Sequence, residues 1–393
     1  MDITLTDAEK EHSSALLSEI AQEIASCAGW IPFSRYMEMA LYQPGKGYYS
    51  AGAHKLGAGG DFTTAPEISP FFGITMTNTI LPILEGFRQN GLPTRILEFG
   101  AGTGKLAESI LNRLHELDFP LDQYDIIEIS PDLAQRQAHH LQGMSELRGW
   151  DTKLNWLSAL PNAFQGVLIA NEVLDAIPCE LIIFKDGVWR WQGITIANGS
   201  LSWKTGAAVN QELLPDYLLS NDLFPDGYIT EIHPQANAWM SALCQAINSG
   251  LIMAFDYGFP DSEYYHPQRQ QGTLMAHHRH HAIPDPFHLP GLCDLTSHVE
   301  WSSIAQSALS GGSNDIFLCN QAAYLLEAGI GELVLEKADP ANPDVFLPIS
   351  NALQKLLSEA EMGELFKVFA CSKNLSNRDL SDLPGLGGRN RLG

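Results

Sequence analysis

The chain has 393 residues, 45% of them hydrophobic, and carries 23 Lys+Arg against 46 Asp+Glu, a formal charge of −23. That length and apolar content can bury one large core plus a second lobe, or two domains, without disulfides or metal staples. The negative field repels phosphate backbones, and no Lys/Arg cluster supplies a basic groove, which argues against nucleic acid as a partner. A basic protein partner suits such a surface, and so does the plainer reading that the charge keeps the protein soluble.

The six cysteines, at 27, 179, 244, 293, 319 and 371, form no C-x-x-C pair, and most sit in apolar runs. They read as small buried hydrophobes in a reducing compartment. The opening "MDITLTDAEKEH" has neither the apolar centre of a secretory signal nor the Arg-rich face of a transit segment. No apolar run approaches the roughly 18 residues of a membrane span. Together these features predict a cytoplasmic protein without membrane insertion.

Much of residues 13–43 reads as helical, with Leu16, Leu17, Ile20 and Ile24 on one face and Ser34 placed to cap a second short helix. A glycine-rich loop, "GAGGDFTTAPEISPFFG", follows, with Pro66 positioned like the first residue of a helix. From Thr94 the pattern alternates. "RILEFG" predicts a strand, Gly104 to about Leu114 a helix, and "YDIIEI" a strand; Ser130-Pro131 then opens another helix. "KLNWLSAL", "GVLIA" and, from 250, "GLIMAFDYG" continue the series, which argues for a mostly parallel, doubly wound α/β sheet. Between them, 180–206 breaks the rhythm with the turns "KDG" and "ANGS", predicting a β-meander insertion. Helices are expected near 209–220 and 234–248, the second closed by Gly250. A His- and Pro-rich loop comes next, then a late strand at "ELFKVFACSKN" and a frayed tail, "LPGLGGRNRLG".

The strongest local signal is "ILEFGAGTGKLAE", a strand that empties into Gly100, Gly102 and Gly104 before a helix. The backbone must turn tightly there and let a ligand approach without meeting a Cβ. A dinucleotide fold wants G-x-G-x-x-G, which would place glycine where this chain has Lys105. The third glycine comes one residue early, and Glu98 precedes the first by two. That spacing resembles motif I of Rossmann-like S-adenosylmethionine methyltransferases. Glu128 ends the next strand, where a carboxylate accepts hydrogen bonds from ribose hydroxyls.

Further stretches resemble one family. "SRYMEMALYQPGKGYYS" with "GDFTTAPEISPFFG", then "ANEVLDAIP", then "GLCDLTSHVEWSS" occur in this order. With the glycine motif they are similar to the MidA family, whose mitochondrial members are arginine methyltransferases needed to assemble respiratory complex I. The resemblance runs from about residue 15 to 375. It implies a class I methyltransferase fold with a helical N-terminal segment and β-meander and helical insertions, and S-adenosyl-L-methionine as donor. It also implies a protein substrate presenting an arginine, with a complex I subunit among the candidates. The expected organisation is 1–75 as N-terminal helices and donor-pocket loop, 76–179 as the first part of the cofactor-binding core and 180–249 as the insertion. Residues 250–375 complete the core with a substrate-side loop at 258–300, and 376–393 form a flexible tail. Oligomeric state stays open.

The resemblance also brings Gly60, Asp61 and Thr64 to the donor pocket, beside Glu98, Gly100, Gly102, Gly104 and Glu128. Asn171 either joins that set or only ends its strand. An arginine acceptor needs carboxylates to orient its fork of donors and polarise one nitrogen. Acids at the carboxyl end of the fourth strand meet that need: Glu172 first, then Asp175. Asp256 ends a later strand on the same side, and His298 is a lesser candidate for accepting a proton or positioning the acceptor. "HHRHH" at 277–281 spaces two histidines i, i+4 without the accompanying acid of a zinc motif, so no metal site is expected. Two other readings stay open: an enzyme with a small-molecule acceptor, and a cofactor-binding assembly factor that acts mainly by partner binding.

Overall fold

The computed structural model describes residues 5–51, 63–220, 224–279, 281–375 and 379–392. It divides into two compact units, each assembled from separated stretches of chain.

The first unit comprises Met1–Lys55, Leu174–Ala238 and Phe259–Ile304. Helix α1 (Asp7–Ser26) starts at a capping box, in which Thr6 and Glu9 satisfy each other's backbone donors, and buries Leu16, Ile20 and Ile24. Leu17, expected on that face, is 36% exposed. Helix α2 (Phe33–Tyr42) is preceded by Pro32, whose fixed φ starts the turn; Ser34 lies inside the helix and donates to Glu180 Oε1 at 2.5 Å. The expected meander is present as strands Glu180–Lys185, Val188–Ala197 and Ser200–Ala208, joined to Ile229–Ile232 in one antiparallel sheet. Its hairpins turn at Asp186-Gly187 and Asn198-Gly199, all four at positive φ, as two-residue hairpin loops require. The helix expected at 209–220 is two short pieces, Gln211–Leu213 and Asp216–Ser220, because Pro215 between them has no N–H to continue a ladder. The His-rich run is not a loop: Met275–His278 pairs antiparallel with His281–Ile283 and with Asp294–Thr296.

The second unit comprises Leu56–Val173, Trp239–Gly258 and Ala305–Gly393. A single helical turn, α3 (Ala65–Ile68), precedes α4 (Phe71–Gln89). Alternation then sets in as β1 (Arg95–Phe99), α5 (Lys105–Glu116), β2 (Gln123–Ile127), α6 (Pro131–Arg148), β3 (Lys153–Leu157) and β4 (Phe164–Asn171). As expected, Ser130 caps α6 by accepting from Leu133 N–H, with Pro131 at the helix start. The sheet order is Asp315–Asn320, Phe366–Lys373, Ile247–Phe259, β4, β1, β2, β3. β1 runs parallel to β2 and β4, and β4 runs parallel to Ile247–Phe259. Phe366–Lys373 opposes its neighbours, inserted between the two strands that flank it. The result is a mainly parallel, doubly wound sheet whose strand order reverses between β1 and β4, the position where such sheets take ligands. Gly250 does not close a helix. It lies inside the Ile247–Phe259 strand, paired with Gly166, and a Cβ there would strike the Gly166 carbonyl.

The core of this unit runs from α4 through the sheet to the chain's last residues: Leu380, Leu383 and Leu386 are at most 2% exposed. The tail expected to fray is therefore packed over residues 379–392. These three leucines, spaced three apart, supply an apolar stripe that the tail's glycine content obscures in the sequence.

Candidate active site

The turn after β1 places Gly100, Gly102 and Gly104 at φ of +60°, +55° and +86°. All three occupy the left-handed region that a Cβ disfavours. Gly100 N–H still bonds the Ile127 carbonyl at 2.9 Å, extending the sheet ladder into the turn, and Gly104 is the residue before α5. Glu98, on β1, is 2% exposed and accepts from Tyr124 Oη at 2.7 Å. Burial pushes its carboxyl up to about 7 against the pull of the Tyr124 hydrogen bond, with the Glu128 charge adding to the rise.

Glu128 follows β2. Its Oε1 accepts from Ser130 N–H and its Oε2 from Gln137 Nε2, both at 2.9 Å, while burial raises its pKa above the ordinary carboxylate range. Gln137 also donates to the Gly102 carbonyl at 3.0 Å. The two acids and the glycine turn are thus linked through β2 and α6.

At the end of β4, Asn171 and Glu172 sit across from Phe255: Glu172 N–H bonds the Phe255 carbonyl at 2.8 Å. Glu172 has φ of +52°, a left-handed conformation rare for a non-glycine residue and costly by about 1 kcal/mol or more. Its Oε1 accepts from Asn171 Nδ2 at 3.1 Å and from Ala65 N–H at 3.4 Å. The Thr64-Ala65 start of α3 is thereby brought to the β4 terminus. Thr64 precedes α3 without a side-chain capping bond. Glu67 takes hydrogen bonds from Thr103 and from Lys105 Nζ (2.5 Å for the latter), tying α3 to the glycine turn. Gly60 and Asp61 lie outside the described residues.

Asp175 and His298 belong to the first unit. Asp175 lies in the short 3-10 turn Leu174–Ala176, is 5% exposed, and its carbonyl accepts from Ser297 N–H at 3.1 Å. His298 is half-buried with its ring 5.4 Å from that of Phe259, and its N–H bonds Thr273 Oγ1 at 3.0 Å. Asp256, in the second unit, is fully buried and accepts from its neighbour Tyr257 N–H.

Sequence reasoning missed Tyr124, Gln137 and Trp156, each of which holds a member of the expected donor set or its partner. Only Gln137 carried a weak signal: it lies four residues before Leu141, and these two are the buried positions of α6. A donor of the expected type fits these residues. The turn is built of three positive-φ glycines opening onto a helix, and Glu128 is held at both oxygens in a fixed orientation.

The comparisons with known proteins agree. Residues 78–315 match the Methyltransf_28 family model, a family of S-adenosyl-L-methionine-dependent methyltransferases. A COG1565 superfamily member from Burkholderia thailandensis, solved bound to S-adenosyl-homocysteine, is 42% identical with a TM-score of 0.91, over 99% of this chain and 98% of that one. The mitochondrial protein arginine methyltransferase NDUFAF7 of Xenopus laevis is 29% identical over 98% of this chain and 91% of its own length. The Drosophila melanogaster homolog, also named as mitochondrial, is 27% identical over 97% and 90%. Those names overturn the expected cytoplasmic location. Free thiols and a lack of long apolar runs suit any reducing aqueous compartment, so they did not single out the cytoplasm; among the described residues no helix is long and apolar enough to cross a membrane. Fold, glycine turn and family match lead to one conclusion: the chain belongs to this family of S-adenosyl-L-methionine-dependent methyltransferases.

Proposed function

We propose that the methyl acceptor is an arginine side chain of a protein, and that Glu172 is the carboxylate that engages it. The observation that carries this reading is the backbone of Glu172: a strand from the core ends in an acid kept at φ +52°. Strain of that kind clusters at functional sites. The arginine methyltransferase names of the Xenopus and Drosophila relatives support the acceptor class.

When bound, S-adenosylmethionine supplies a methyl carbon already activated by a sulfonium. What remains for the chain is to orient and deprotonate the acceptor and to exclude water. A guanidinium is planar, cationic and a poor nucleophile. A carboxylate that accepts two of its N–H groups draws the positive charge to one side and takes the proton that must leave. Asn171 and the Ala65 N–H hold the Glu172 side chain at the strand end for that task. Gly100, Gly102, Gly104, Glu98 and Glu128 make the donor site, with Thr64 and Asn171 at its edge. A complex I subunit is the first protein to try.

Incubation of the protein with methyl-labelled S-adenosylmethionine and host lysate, followed by mass spectrometry, tests the acceptor. Label on arginine is the expected result. Label confined to small metabolites contradicts it.

A further inference from the structure

We infer that Gln137 is a positioning residue for the donor site, a clamp that fixes the Glu128 carboxylate relative to the glycine turn. The inference rests on the reading of Glu128 as the residue that takes the ribose hydroxyls.

Helix α6 buries two side chains, and one of them is an amide: Gln137 is 0% exposed in a helix whose other buried residue is Leu141. An apolar residue would fill that position at no desolvation cost, so a buried amide there calls for an explanation. Its hydrogen bonds provide one. Trp156 Nε1 donates to Gln137 Oε1 at 3.0 Å, and because an indole N–H can only donate, that bond fixes which end of the amide is oxygen. The amide nitrogen then faces the opposite way with two hydrogens and two acceptors, the Gly102 carbonyl at 3.0 Å and Glu128 Oε2 at 2.9 Å. Both amide hydrogens and the amide oxygen are engaged, and the two acceptors belong to the two parts of the donor site.

The consequence for Glu128 is geometric. Ser130 N–H holds Oε1 and Gln137 holds Oε2, so the carboxylate plane is set from both oxygens. A carboxylate has about four lone-pair sites, and with Ser130, Gln137 and the Ile129 backbone N–H on it, Glu128 keeps room to accept from a ligand hydroxyl. One turn further along α6, Leu141 packs beside Gly104, where a Cβ would lie 3.4 Å from its side chain. The same helical face therefore supports the glycine turn and the acid.

The test measures binding of S-adenosylhomocysteine and of its 2′,3′-dideoxyribose analogue to the full chain by calorimetry. Wild type, Q137A, E128Q and the double variant are compared. Loss of one hydrogen bond to a charged group predicts that Q137A weakens S-adenosylhomocysteine by about tenfold, the dideoxy analogue being affected less than about twofold. In the double variant the two effects do not add, because they share one pathway. Should Q137A unfold, W156F is read in its place, with a smaller loss confined to the hydroxyl-bearing ligand. If E128Q removes hydroxyl discrimination while Q137A and W156F preserve it, the clamp is refuted and the Glu128 reading survives. If E128Q weakens both ligands equally, the Glu128 reading itself fails. Equal weakening of both ligands by Q137A, or full additivity in the double variant, also overturns the proposal.

Discussion

Tyr124 donates its hydroxyl to the buried Glu98 carboxylate at 2.7 Å, joining the second strand of the sheet to the acid that precedes the glycine turn. Burial raises Glu98 from 4.5 to about 7, so the folded chain keeps a proton that the unfolded chain has already lost. Stability from this group is full below pH 4.5 and is lost as pH rises through about 7, at most about 3 kcal/mol. Melting curves between pH 5 and 8 should fall less steeply for E98Q than for wild type. Y124F removes the bond that favours the charged form and should steepen the fall. Parallel curves for all three proteins would contradict the assignment.

His233, in the first unit, has the opposite slope. Fully buried and bonded to Tyr264 Oη at 3.0 Å, it is held neutral, with its pKa lowered from 6.5 to about 4 by desolvation. The unfolded chain takes up that proton near pH 6.5 and the folded chain does not, so stability is lost as pH falls from 6.5 toward 4. H233Q should lessen the acid-side loss of stability measured in urea between pH 7 and 4.5. An unchanged difference between the two pH values would refute the neutral buried state.

Glu172 is strained for a reason other than stability, which makes a distinctive prediction. Asparagine tolerates the left-handed region better than glutamate. E172N should therefore melt within about 2 °C of wild type or above it, while turnover falls by on the order of a hundredfold. A strongly destabilised E172N would mean that the carboxylate is there to hold the fold.

The C-terminal residues offer a fourth check. Arg391 N–H bonds the Leu318 carbonyl at 2.8 Å, and Asn390 exchanges bonds with Leu318 N–H and the Ile316 carbonyl, both at 3.1 Å. Asp315–Asn320 is the last strand in the sheet order, so the tail satisfies the edge that such a strand would otherwise present. L386A should cost about 2–5 kcal/mol in denaturant unfolding, and removal of residues 379–393 should produce aggregation. A truncated chain that stays monomeric with an unchanged melting temperature would contradict this role.

The parts legible in the sequence are those where one local rule decides the structure. Ser130-Pro131 reads as a helix start because cap and ring preference agree, and Asp186-Gly187 reads as a hairpin because few other pairs tolerate two positive φ values. The glycine turn is legible for the same reason. What stayed hidden depends on partners far away in the chain. Gly250 looked like a helix stop until the Gly166 carbonyl beside it was known, and the tail's leucines meant little without the sheet they cover. The buried amide of Gln137 shows only in its spacing of four from Leu141, since its role is set by Gly102, Glu128 and Trp156.

The most direct measurement of the central claim compares wild type with E172Q for methyl transfer to protein arginine, using labelled S-adenosylmethionine, with donor affinity taken on the same samples. Arginine label from wild type, little or none from E172Q, and donor affinities within about twofold are predicted. Arginine labelling by E172Q at the wild-type rate would contradict the account.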